Sequence, residues 1–193
     1  MKPVSGKEFP LLKSCERYIS NHALGYLCKK TEATHILKIA QDLKETGINH
    51  VKKNCDYPLA ENNIEEILVL EGIKILDINL PPGTEVSNTY EFLASMDSVK
   101  NTIRINREGI GILLKRFKGL YPNRTFSTLD EFCAILLAHE WFHLIFEQLC
   151  KPDAWHTLKQ AEKIVTEEIA ARMFSIELLE SELSPFFPED MHL

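Results

Sequence analysis

Apolar residues recur at three- and four-residue intervals through the first fifty positions: Leu12, Tyr18, Ile19, Ala23, Leu24 and Leu27, then Ile36, Leu37, Ile39, Ala40 and Leu43. Such spacing gathers them on one helical face. Two helices are therefore expected between Leu11 and about Lys53, the second ending near Gly47. Pro58 interrupts the chain. Beyond Asn62-Asn63, a capping pair, Ile64-Glu65-Glu66-Ile67-Leu68-Val69-Leu70 reads as a short helix stopped at Gly72. The period then shortens to two. Ile73–Ile78 alternates as a strand closed by Pro81-Pro82-Gly83, and Tyr90–Met96 and Thr102–Asn106 read as two strands joined around Asp97-Ser98.

Helical spacing resumes over 107–118, followed by a loop at Gly119-Leu120-Tyr121-Pro122-Asn123. Thr128 with Glu131 three residues later has the form of a capping box, so a helix should run from about Leu129 to Leu149. Phe132, Ile135, Leu136, Phe142, Leu144, Ile145 and Phe146 make it apolar over most of its circumference, the pattern of a buried helix. A last helix is expected from about Trp155 to Leu183, before Pro185 and Pro188. The fold class is α+β: several helices on a small, mainly antiparallel three-strand sheet. Residues 1–54 form an N-terminal helical region packed on a domain spanning 55–193.

Charge and composition narrow the function classes. The formal net charge of −6 is split: residues 1–60 carry ten Lys/Arg against six Asp/Glu, and 61–193 carry twelve against twenty-two. Phosphate neutralisation needs a basic face, so a nucleic-acid partner is not expected. The stretch Ile36–Lys53 has a faint helix-turn-helix pattern, but Gly47 lies seven residues after Ala40, too far for the tight turn. No run approaches the roughly 20 apolar residues of a membrane span and no signal-peptide pattern opens the chain, so the expected location is the cytoplasm. Five cysteines at wide spacing, without a Cys-x-x-Cys pair, read as reduced packing thiols.

The chemistry sits on the apolar helix. His139-Glu140-Trp141-Phe142-His143 places two imidazoles four residues apart, one turn along the same face, where both can reach one Zn²⁺. Glu140 is placed to serve as general base toward a water acidified by the metal. Three polar groups buried in so apolar a helix need partners, and a metal with its water satisfies all of them. A third ligand is expected from Thr166-Glu167-Glu168-Ile169-Ala170-Ala171. Adjacent helical positions differ by about 100°, so both Glu cannot face the ion; periodicity favours Glu168, which shares its face with Ile164, Val165, Ala171 and Ser175, and leaves Glu167 solvated or behind a ligand. Asp153 and His156 read as surface residues. Glu147, one turn past His143, is a candidate to hold a ligand imidazole by its other nitrogen, and reads equally as an exposed helix carboxylate.

Over about residues 55–180 the chain resembles the ImmA/IrrE family of minimal zinc metallopeptidases. The likeness is carried by Pro58 and Ile64–Ile75, by Thr102-Ile103-Arg104-Ile105-Asn106, by the His-Glu-x-x-His segment, and by Glu168-Ile169-Ala170-Ala171-Arg172-Met173-Phe174-Ser175-Ile176-Glu177-Leu178-Leu179, which is similar to the family's Glu-x-x-Ala-Asn-x-Phe-Ala-x-x-Leu-Leu. This chain has Trp141-Phe142 where the family commonly has Leu-Gly, Arg172 where it has Asn, and no Met-Pro after the Leu pair. The resemblance implies a zincin-like fold, Zn²⁺ held by His139, His143 and Glu168, and Glu140 as general base. It also implies a protein or peptide substrate such as a transcriptional repressor, in a cytoplasmic protein of a phage or mobile element. The alternative is a catalytically inactive zincin-like module that binds a regulator.

Overall fold

Isoleucine, leucine and alanine at positions 36, 39, 40 and 43, continued by Ile48 and Val51, form the buried stripe of helix α1, Lys30–Asn54. In the computed structural model of the protein, residues 30–55, 63–79, 93–120 and 128–179 are described. The other elements are α2 (Ile64–Leu70), β1 (Lys74–Asp77), β2 (Ala94–Asp97), β3 (Thr102–Ile105), α3 (Arg107–Leu120), α4 (Leu129–Phe146), α5 (Asp153–His156) and α6 (Gln160–Leu178). The result is the expected α+β fold, a three-strand sheet packed against several helices. The first expected helix, residues 90–92 of the second strand and the end of the last helix beyond Leu179 lie outside the described residues.

α4 is the hub. It packs against α6 on one side and against β2 and β3 on another, and it also touches α1, α2 and α3. Nine of its residues are buried, among them Phe132, Leu137, Trp141, Phe142 and Phe146. Its start follows the expected box: Thr128 Oγ1 accepts from the Glu131 N–H at 3.2 Å, and the Glu131 carboxylate accepts from the Thr128 N–H at 2.5 Å. At its other end, three residues short of the expected Leu149, Lys151 Nζ donates to the Phe146 carbonyl at 3.0 Å, placing a cation where the helix dipole favours one.

Gly47 does not end α1, which continues to Asn54. A Cβ at Gly47 would lie 2.9 Å from Phe142 Cε2 and 3.1 Å from Phe174 Cδ2. The glycine therefore serves close approach: it receives the aromatic pair Phe142–Phe174, whose ring centroids are 5.2 Å apart, where α1 meets α4 and α6. Gly47→Val is expected to cost about 1 to 3 kcal/mol through overpacking, read as a lower urea midpoint. The loss should shrink in a Phe142→Leu background, since the two positions share one contact.

The sheet order is β1-β3-β2. β2 and β3 form the expected antiparallel hairpin, whereas β1 joins β3 in parallel, so the sheet is mixed instead of mainly antiparallel. The intervening α2–β1 turn does use Gly72 as a stop: its φ of +75° suits glycine, and the Ile73 N–H reaches back to the Leu68 carbonyl at 2.9 Å. Asn63 occupies the N-cap position of α2 without a side-chain capping bond. A cationic clamp ties these parts together, because Arg107 donates to Asp77 of β1 at 3.0 Å and pairs with Glu65 of α2.

The single helix expected from Trp155 to Leu183 is two. Trp155 is buried against Phe146 from the short α5, and the chain then turns through Thr157 and Leu158 before α6 starts. Glu162 fixes that restart by accepting from the Lys159 N–H at 2.7 Å. The turn sends α6 back along α4 and α1.

Candidate metal centre

Beyond its first turn α4 is largely buried, and its polar side chains there are His139, Glu140 and His143. His139 and His143, one turn apart, are 14% and 10% exposed, and their Nε2 atoms are 3.2 Å from each other. From α6, Glu168 brings Oε2 to 3.4 Å from His139 Nε2 and Oε1 to 3.4 Å from His143 Nε2. These three residues are the group among the described residues whose donor atoms are close enough to share a metal ion. Around an ion with ligand bonds of about 2.0 to 2.1 Å, the edge of a tetrahedron is about 3.3 Å. The two imidazole Nε2 atoms stand about that edge apart, and each lies 3.4 Å from a different oxygen of Glu168, so the residues present fit a shared divalent metal.

The electrostatics follow from burial and from the order of the charges. Glu168 is held down at about 2: burial opposes ionisation, but the bond from His139 and the positive charges of His139, His143 and Arg172 outweigh it. His139 is lowered, mainly by burial, with its neighbour His143 acting in the same direction. His143 is raised. Burial works against its charged form, yet the hydrogen bond with Glu167 and the nearby Glu168 and Glu140 carboxylates prevail. Glu140 is pushed up to about 7, chiefly by burial, with the negative charge of Glu168 adding to the shift and the Met96 backbone N–H opposing it.

That backbone contact locates Glu140 relative to the sheet. Asn106 N–H donates to the Leu93 carbonyl at 2.8 Å, and Ala94 stands opposite Ile105 with Met96 opposite Ile103. In an antiparallel pair the hydrogen-bonding direction alternates, so Ala94 and Met96 turn their N–H and C=O away from β3. Met96 directs its amide at the Glu140 carboxylate. Among the described residues, β2 is thus an edge strand whose outer side runs beside the His/Glu cluster.

Comparison with family models, with curated proteins and with solved structures gave no match. The centre is read from its own geometry.

Of the residues singled out by sequence, the structure brings together His139, His143 and Glu168, with Glu140 adjoining. Glu147 does not hold a ligand imidazole: its side chain is 87% exposed and lies 3.7 Å from Lys151 Nζ, because position 147 has already turned away at the end of α4. Glu167 occupies that place, with Oε1 2.8 Å from His143 Nδ1. Helical periodicity separates Glu167 from Glu168 by about 100°, but no periodicity could show that His143 lies between the two. Asp153 and His156 are exposed, as expected of surface residues. Arg172, one turn beyond Glu168, is close enough to depress both His139 and Glu168, a fixed charge that its position as a departure from the family pattern did not signal.

Proposed function

We propose that the protein is a zinc-dependent peptidase, with His139, His143 and Glu168 as metal ligands and Glu140 as general base. The observation that carries this reading is the convergence of two imidazole Nε2 atoms and the Glu168 carboxylate within reach of one ion, set beside the Glu140 carboxyl group. When bound, the ion supplies Lewis acidity, polarising a peptide carbonyl and acidifying a water molecule. Glu140 takes the proton of the attacking water and delivers it to the leaving amine. A carboxyl group that changes state near neutral pH can do both within one turnover. Iron, cobalt and nickel accept the same donors, and zinc is preferred because three N/O ligands with one open position is its usual catalytic arrangement.

The substrate is a polypeptide, laid as an added strand along β2. Ala94 and the Met96 carbonyl offer outward backbone groups at the correct edge, and pairing through the main chain binds an extended peptide with little regard to side chains. The resemblance to the ImmA/IrrE family supports membership at that family's margin and a cytoplasmic regulator, such as a repressor, as the natural substrate. No helix among the described residues is long and apolar enough to cross a membrane.

The test is direct. Purified protein should bind one zinc per chain and generate new peptide termini in candidate repressors, mapped by mass spectrometry. Cleavage should stop with a chelator and return with added zinc. Metal uptake without new termini in any extended polypeptide would leave a binding module, not a peptidase.

A further inference from the structure

We infer that Glu167 is a positioning residue for the metal ligand His143, fixing the ring so that Nε2 is presented to the ion. The inference rests on the metal reading above and adds a residue to it.

The geometry is a pincer on one imidazole. Glu167 Oε1 is 2.8 Å from His143 Nδ1, and Glu168 Oε1 is 3.4 Å from Nε2 of the same ring. Two consecutive residues of α6 thus meet the two nitrogens of a single side chain on α4. The imidazole is 10% exposed, and the Glu167 side chain 24%, so water competes weakly for the bond. A carboxylate accepts but does not donate, which puts the ring proton on Nδ1 and leaves the Nε2 lone pair for a metal.

His139 has no carboxylate at its Nδ1 among the described residues; its charged contact is with Glu168, through Nε2. Among the described residues, His143 thus meets a carboxylate at each ring nitrogen and His139 meets one at Nε2. A bond of this kind also makes the imidazole a better electron donor, and losing such an outer carboxylate typically costs 10- to 100-fold in metal affinity. Thr166, beside Glu167, is fully buried and bonds back to the Glu162 carbonyl at 2.6 Å, so the backbone that carries the pincer is held firmly.

The experiment compares zinc affinity by competition with a chromophoric chelator in the full chain, in Glu167→Ala and in Glu167→Gln. Metal-free melting temperatures and the visible spectra of the cobalt-loaded forms are recorded alongside. The expected result is a roughly 10- to 100-fold weaker affinity for Glu167→Ala, a smaller loss for Glu167→Gln, whose amide oxygen can still accept from Nδ1, and a shifted cobalt spectrum. Zinc affinity within twofold of the parent for Glu167→Ala, with an unchanged cobalt spectrum, overturns the inference while leaving the metal site in place. A weaker affinity in Glu167→Ala that comes with a lower metal-free melting temperature and a parental cobalt spectrum also overturns it, since Glu167 would then be structural only. A parent chain that takes up no zinc sinks the metal reading itself, a failure visible before any variant is made.

Discussion

Glu140→Gln should abolish peptide cleavage by about a thousandfold in kcat/KM, keep its zinc, and make the metal-free protein more stable at pH 8. The first effect follows from the role: a positioned general base contributes about 10² to 10⁴ in rate, and an amide cannot take a proton at neutral pH. The second follows because Glu140 is not in the donor group of His139, His143 and Glu168. The third is a consequence of where the carboxyl is held. Its ordinary value of 4.5 is raised to about 7 in the folded chain, first by burial and then by the charge of Glu168. Between those values the folded state binds more protons than the unfolded one. The contribution of Glu140 to the stability of the metal-free protein therefore falls as pH rises from about 4.5 to about 7, and stays lower above that.

Glutamine carries no charge to bury, so the variant should lack this decline. The difference at pH 8 should be on the order of 3 kcal/mol, from a shift of this size at about 1.4 kcal/mol per unit. Urea unfolding of both proteins at pH 4.5 and pH 8, after chelation, measures it. A gain in stability with a loss of rate is the pattern of a group kept under strain for chemistry. Parallel pH profiles for the two proteins would mean that Glu140 is solvated, and the case for a tuned base would go with it.

How much of this was open to inspection in the residues differs from element to element. The capping box at Thr128 and Glu131 could be read because it is local: both partners lie within one turn. The two imidazoles could be read for the same reason. Gly47 could not, because its meaning lies in Phe142 and Phe174, about a hundred residues away, and a glycine in a helical pattern looks the same whether it ends a helix or admits a neighbour. Phe142 stands inside the His-Glu-x-x-His segment, and the space for its ring is provided from α1. Glu147 and Glu167 each admit two readings from sequence, solvated or behind a ligand imidazole. Each stands within reach of His143 along a helix or across one, and only the turn at 157–159, which sets the approach of α6, decides between them. The parallel pairing of β1 with β3 was likewise hidden, since strand alternation reveals a face and not a partner.

Glu168→Ala is expected to weaken zinc binding by two to three orders of magnitude while leaving the fold intact at neutral pH. A structural zinc site is worth roughly 10 to 16 kcal/mol over four ligands, so one ligand accounts for about 3 kcal/mol, or at least a hundredfold. Only Glu168 among these ligands reaches the cluster from α6, and α4 cannot supply a replacement, since Glu147 points to solvent and Glu167 is engaged at the far side of His143. Its pH behaviour provides a second signature. The carboxyl is held at about 2 against an ordinary 4.5, because the bond from His139 and the surrounding positive charges overcome burial. The folded state therefore binds fewer protons than the unfolded state in that window. The stability that Glu168 contributes is complete above about pH 4.5 and is lost as pH falls toward 2. Metal-free Glu168→Ala should lose less stability across that acid range than the parent chain does. Zinc affinity measured by chelator competition, and acid unfolding followed by circular dichroism, would check the two effects separately. Undiminished zinc binding in Glu168→Ala would remove α6 from the site and leave the imidazole pair of α4 without its third ligand.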